Sequence, residues 1–305
     1  MFEVLKKGKL HNLSIQCQLD LFEKIIKPIF LYGSEIWDFS NNESIERVHL
    51  KFCKILLKLK ISTPNYLIYR ELGLYPMDID IKVRIISYWT RLLTGKQSQL
   101  SFLTYKCMHN LSLSNNINFD QIEFVKGVFD NCGYTYVWKT QTFITDIWLK
   151  QVIKVRLQDQ FRQLWLSTLY NSPKGLNYKI FKDTLEFENY FNILEDKDLT
   201  ALCRFRTTNH RLPIECGRWC NVSREDRICT LCLKNEIGDE FHYLFSCDNF
   251  NNQRKLYIKE KLRNRPNTLK FKEIMTSKNK YDLQKLCRFV AIINKGDSPI
   301  LIIQV

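Results

Sequence analysis

The sequence predicts a mainly α-helical protein, a helical bundle followed by a small metal-stapled module, and three observations predict it. Apolar residues recur three and four positions apart through most long segments, the pattern of a buried helix face. Glycine and proline number only 10 and 7 in 305 residues, so few positions interrupt a helix. Near the C-terminal end, Cys229, Cys232, His242 and Cys247 form a C-x2-C-x9-H-x4-C array.

From Leu19 to Ile29 the apolar positions 19, 21, 22, 25, 26 and 29 make one broad stripe, with Pro28 placed to bend the helix near its end. Ser44 to Leu59 repeats the pattern through Ile45, Val48, Phe52, Ile55, Leu56 and Leu59, and Ser62-Thr-Pro64 stops it. Ile79 to Leu93 is a third helix. Asp78 and Asp80 stand at its start, where carboxylates suit the positive end of the helix dipole. Aromatic and β-branched residues around Tyr134-Thr-Tyr-Val-Trp138 suit either a short strand or a packed loop. Thr145 to Tyr170 is a long helix carrying Trp148, Val152, Val155, Phe161, Trp165 and Leu169, and the turn residues Asn171-Ser-Pro-Lys-Gly175 end it. Trp37, Trp148 and Trp165 lie on apolar stripes and are expected in the core.

The array suits one tetrahedral Zn²⁺, because the two-residue gap lets both thiolates of a tight turn face one ion. His242 and Cys247, about one helical turn apart, can close the site from a second element. Four protein ligands leave no position for water, so the expected role is structural and not catalytic.

Lys plus Arg total 46 against 32 acids, a net charge of +14 that calls for a polyanionic partner, with RNA or DNA the first candidate. The excess sits at the two ends: residues 201–305 carry 20 basic and 11 acidic side chains, and residues 1–110 carry 16 and 10. Just before the array, Arg204, Arg206, Arg211 and Arg218 are set among Phe205 and Trp219, and Arg227 precedes Cys229. Guanidinium groups neutralise phosphates while flat faces stack on bases, the combination that holds single strands. A solvated positive face is the plain alternative for any one of these arginines. His210, Cys203, Cys216 and Cys220 could make a second zinc site, although their spacings fit poorly.

Eleven cysteines without an apolar leader at the N-terminal end point to an intracellular, reducing setting, nuclear or cytoplasmic, in which most cysteines are small core residues. No apolar run approaches the roughly 18 residues of a membrane span, so no membrane partner is expected.

The run Arg206-Thr-Thr-Asn-His-Arg-Leu-Pro-Ile-Glu-Cys-Gly-Arg218, then Arg227-x-Cys-x2-Cys and Asp239-Glu-Phe-His-Tyr-Leu-Phe-x-Cys247, resembles the zinc-binding segment downstream of the reverse transcriptase in LINE-type non-LTR retrotransposons. Leu21-Phe-Glu-Lys-Ile-Ile-Lys-Pro-Ile-Phe-Leu-Tyr-Gly-Ser-Glu-Ile-Trp37 is similar to the stretch that follows the polymerase palm in these elements. Ile45 to Cys53, Arg70-Glu-Leu-Gly73, and Phe161 to Trp165 with Tyr178 keep the order of that region.

The resemblance implies a thumb-like helical segment over 1–110, a helical linker region over 111–200, a basic zinc-binding module over 201–265 and a helical tail over 266–305. It also implies a CCHC set of Cys229, Cys232, His242 and Cys247, with nucleic-acid contacts at Arg206, His210, Arg211 and Arg218, to which the basic residues flanking them add Arg204 and Arg227. Template RNA, target DNA and a polymerase palm are the implied partners. The paired carboxylates of a polymerase are missing, since no Asp-Asp dipeptide occurs. No endonuclease motif follows Cys247, so the segment is not expected to be an enzyme in isolation. It reads as the post-polymerase part of an element. A protein-interaction scaffold, a reverse transcriptase subunit complementing a palm in trans, and a relic without a selected role are the other readings.

Overall fold

The computed structural model describes residues 13–37, 43–115 and 117–296, and the long helices lie where the apolar period places them. Glu43–Leu56, Met77–Thr94 and Asp146–Asn171 match the predicted second, third and fourth helices. Among the described residues no strand forms, and extended pairing is confined to the bridges Leu72↔Phe187 and Ile228↔Ile237.

The first predicted helix is divided into Ile15–Leu21, a π turn Phe22–Ile26, and Lys27–Phe30. Pro28 explains the change of pitch: it has no N–H to donate to Lys24, and its ring displaces that carbonyl, so the turn before it widens. Residues 135–138 are neither strand nor loop but part of the helix Thr135–Thr140, which Tyr134 precedes as its N-cap residue. Gly133, at φ 81°, closes the preceding helix Asp120–Cys132, and the chain restarts at once. Val137 and Trp138, consecutive in sequence, are both buried.

The chain groups into two compact units. One comprises Leu19–Leu50 and Tyr75–Leu166. Its centre is Trp89, whose ring lies 5.0 Å from Phe129 and 6.2 Å from Trp138. The Trp89 indole N–H donates to Tyr105 Oη at 2.8 Å, and Tyr105 in turn donates to Gln141 at 2.6 Å, so both buried polar tips are satisfied. Asp78 and Asp80 lie in the first turn of Met77–Thr94 and pair with Lys82 at 2.6 Å and Lys27 at 2.5 Å. Trp165 is buried and Trp148 half-buried, while the side chain of Trp37 lies outside the described residues.

Among the described residues the second unit comprises 13–18, 51–74 and 167–296, and it holds the cysteine array. Here the helix Asp196–Arg206 packs along Lys280–Gly296, and Tyr178–Phe181 packs on Thr268–Met275 with Phe181 edge-on to Phe271 at 5.7 Å. Gly73 ends the helix Asn65–Leu72 at φ 64°. A Cβ there would stand 2.4 Å from the Phe187 nitrogen, so only glycine lets the 186–187 backbone come alongside.

Candidate metal centre

The first two cysteines sit on a short hairpin. Ile228 and Ile237 form its bridge, Cys229 donates its N–H to Glu236 O at 2.8 Å, and Gly238 donates to Arg227 O at 2.8 Å. The turn between them brings Leu231 N–H to 3.4 Å from Cys229 Sγ, which accepts it. A Cβ on Gly238 would meet Pro213 Cγ at 2.8 Å, and one on Gly217 would meet Arg227 Cγ at 2.6 Å. These two glycines let the helix Pro213–Trp219 lie directly against the hairpin.

The other two ligands come from the helix Glu240–Phe245 and the residues after it. Asp239 caps that helix by accepting the His242 N–H at 2.9 Å, which sets the first turn and points His242 toward the hairpin. Past its end, Cys247 donates its N–H to His242 O at 2.9 Å. The buried Arg254 donates to Leu244 O at 2.8 Å and Cys247 O at 2.7 Å, satisfying carbonyls that the helix end leaves without partners.

The ligand atoms of Cys229, Cys232, His242 and Cys247 all lie within 4.8 Å of one another, and the group could hold a metal ion. Cys229 Sγ is 3.8 Å from Cys247 Sγ, far beyond the roughly 2.0 Å of a disulfide. Cys232 Sγ is 3.4 Å from His242 Nε2. On the other side of the ring, His242 Nδ1 is 2.8 Å from Glu236 Oε2. A proton on Nδ1 shared with that carboxylate leaves the Nε2 lone pair facing the sulfurs, as a ligating imidazole requires. Burial first, and the neighbouring Cys229 as well, push the Cys247 thiol up to about 12, so a cation is what would bring it to the thiolate.

The alternative set does not assemble. Cys216 Sγ donates to Arg211 O at 3.1 Å, Cys203 is wholly buried, Cys220 is exposed, and His210 turns to Glu240. Among the described residues only the first four converge.

The basic residues expected to touch nucleic acid separate into two kinds. Arg206 is buried: its guanidinium pairs with Glu71 at 3.2 Å and Glu188 at 3.0 Å, donates to Met275 O at 2.7 Å, and lies between the rings of Phe181 and Tyr190. Burial opposes its charge, but Glu71 and Glu188 outweigh it and hold the proton more tightly than in water. His210 is buried too, with Nε2 2.8 Å from Glu240 Oε1. Both are enclosed by acids from distant parts of the chain, which a local count of basic residues does not register.

Arg227 donates to Val222 O at 3.0 and 2.8 Å and to Ile214 O at 3.1 Å, bracing the hairpin. Arg218 is partly exposed and pairs with Glu215 at 2.7 Å. Arg204 is exposed while donating twice to Lys58 O, and Arg211 is exposed without an ion pair to a described residue. Glu71, Glu188 and Glu236 are the acidic partners that spacing alone did not single out. For Glu236 the signal was its place in the hairpin, six residues before His242.

No family model matches the chain, and no curated protein or solved structure matches it either. No described helix is long and apolar enough to cross a membrane.

Proposed function

We propose that this chain is a zinc-stabilised nucleic-acid-binding segment related to the post-polymerase region of LINE-type reverse transcriptases, holding template RNA or target DNA without a catalytic centre of its own. The observation that carries the proposal is the size of the ligand cluster. A Zn²⁺ tetrahedron with Zn–S near 2.3 Å and Zn–N near 2.0–2.1 Å has S···S edges of about 3.8 Å and S···N edges of about 3.6 Å. The Cys229–Cys247 and Cys232–His242 separations, 3.8 and 3.4 Å, lie at those lengths. Three thiols and an imidazole select zinc over magnesium or calcium, which prefer oxygen.

Four protein ligands make the ion a fastener, and structural zinc contributes an apparent ~10–16 kcal/mol in small modules. The +14 net charge supports a polyanionic partner, and the order of sequence motifs supports the retrotransposon relation. The test is binding of labelled single-stranded RNA and DNA to the zinc-loaded protein across a salt series. Each phosphate neutralised contributes a slope of about −0.7 in log affinity against log salt. A steep slope that collapses on chelation supports the reading, and no binding at low salt refutes it.

A second reading has its own observation. Ile25, Ile29, Tyr32 and Ile36 are all exposed and follow one another at spacings of four, three and four. Exposed apolar residues so close in sequence, on the π turn, the helix Lys27–Phe30 and the turn and short helix after it, suit packing against another protein surface, and a reverse transcriptase palm is the partner implied by the resemblance. Primer extension by a palm domain with and without this chain, repeated with Ile25→Ser/Ile29→Ser, tests it: stimulation lost in the variant supports complementation, and no stimulation by either protein excludes it.

A further inference from the structure

We propose that Trp219 is a base-stacking platform for single-stranded nucleic acid, flanked by Lys60, Arg218 and Arg204 as phosphate contacts. The proposal rests on the nucleic-acid reading above and assigns it a surface. Trp219 ends the helix Pro213–Trp219 with its side chain 52% exposed, an unusual position for the largest apolar ring. The Lys60 ammonium lies 4.5 Å from the ring centroid although it is 159 positions away in sequence. An exposed cation–π contact of this kind is weaker than the stacking of a base, so a base can displace the ammonium and leave it beside the adjoining phosphate.

The charge around this ring is concentrated. Glu215, one turn before Trp219, is buried and faces Arg218 at 2.7 Å and Lys174 at 3.8 Å. Burial first, then the charges of Arg218, Lys60 and Lys54, lower the proton affinity of Lys174 against the pull of Glu215. Glu215 therefore faces two cations, and Lys60 and Lys54 stand near enough to Lys174 to act on its charge. Lys54 is committed to Ile61 O at 2.9 Å and Asn65 Oδ1 at 2.8 Å, and Lys174 is buried. Lys60 is exposed and Arg218 half-buried, its Nε buried without a hydrogen bond to a described residue.

Arg204 extends the strip. Its Nε and Nη2 donate to Lys58 O at 3.0 and 2.8 Å, two residues from Lys60, a span of at most about 7 Å of chain. Lys60 over the ring, Arg218 next to it in the chain and Arg204 held to the Lys58 carbonyl give the stacking face its candidate phosphate contacts.

The test uses the full zinc-loaded chain and fluorescein-labelled oligo(dT) and oligo(U), with Trp219→Ala, Trp219→Phe and Lys60→Gln. Trp219→Ala is expected to weaken binding about 5- to 150-fold with the salt slope unchanged, and Trp219→Phe to retain most of the affinity. Lys60→Gln is expected to reduce the slope by about 0.7. Zinc content and thermal unfolding equal to wild type verify the fold of each variant. If the wild type binds and these variants bind equally well, this surface is wrong and the nucleic-acid reading stands. If the wild type binds neither probe, both fall. A preference for duplex that Trp219→Ala leaves intact overturns the single-strand assignment.

Discussion

Arg206 and Glu71, 135 positions apart in sequence, form a fully buried ion pair, with Nη2 to Oε1 at 3.2 Å and both side chains without solvent exposure. Tyr190 donates its hydroxyl to the same carboxylate at 2.6 Å, and Glu188 supplies the second negative group, so the charges are desolvated but matched. The pair joins the helix Asn65–Leu72 to Asp196–Arg206. A residue that resembles a phosphate contact in sequence is thus an internal fastener.

Removing one member of such a pair leaves a buried charge unmatched, at a cost of about 3–5 kcal/mol. Arg206→Gln is expected to lose that much in urea unfolding, Glu71→Gln less because Glu188 still faces Arg206, and the double variant less than their sum. Wherever Arg206→Gln remains folded, its salt slope for nucleic acid should equal the wild type's. A flattened slope would return Arg206 to the surface.

Glu236 holds the far nitrogen of His242. Outer partners of this kind typically contribute 10–100-fold to metal affinity. Glu236→Gln should therefore weaken zinc by about that factor in competition with a chromophoric chelator, with the ligand count unchanged. Equal affinity would mean the imidazole needs no orienting carboxylate.

Gly73→Ala places a methyl 2.4 Å from the Phe187 nitrogen on a backbone at φ 64°. Left-handed strain alone costs of order 1–3 kcal/mol, and the displaced bridge adds to it. The expected result is a lowered urea midpoint with zinc content retained. Gly127, which has nothing within 4 Å of a Cβ, is the control, and its alanine variant should not be destabilised.

Chelation should remove amide exchange protection over residues 227–247 first, because the hairpin there has one bridge and few buried apolar side chains. The helix Met77–Thr94, centred on buried Trp89, should keep its protection. Simultaneous loss in both would show that the ion stabilises the whole chain and not a local module.

The helical architecture was legible because it depends on local period, and Glu43–Leu56, Met77–Thr94 and Asp146–Asn171 follow that period closely. The segment around Tyr134 was not, since its residue types favour extended chain while Gly133 and the packing of Trp138 on Trp89 impose a helix. The convergence of Cys229, Cys232, His242 and Cys247 was legible because hairpin and helix are neighbours in sequence. The fates of the arginines were hidden. Arg206 is enclosed by Glu71 and Glu188, and Trp219 is joined by Lys60, all through long-range contacts that no local pattern encodes.

The most direct measurement is native mass spectrometry of the purified chain under reducing conditions, with Cys247→Ser beside it. One zinc per wild-type chain, lost in the variant, is the predicted result. A wild-type chain without zinc, or zinc retained in full by Cys247→Ser, would contradict the account.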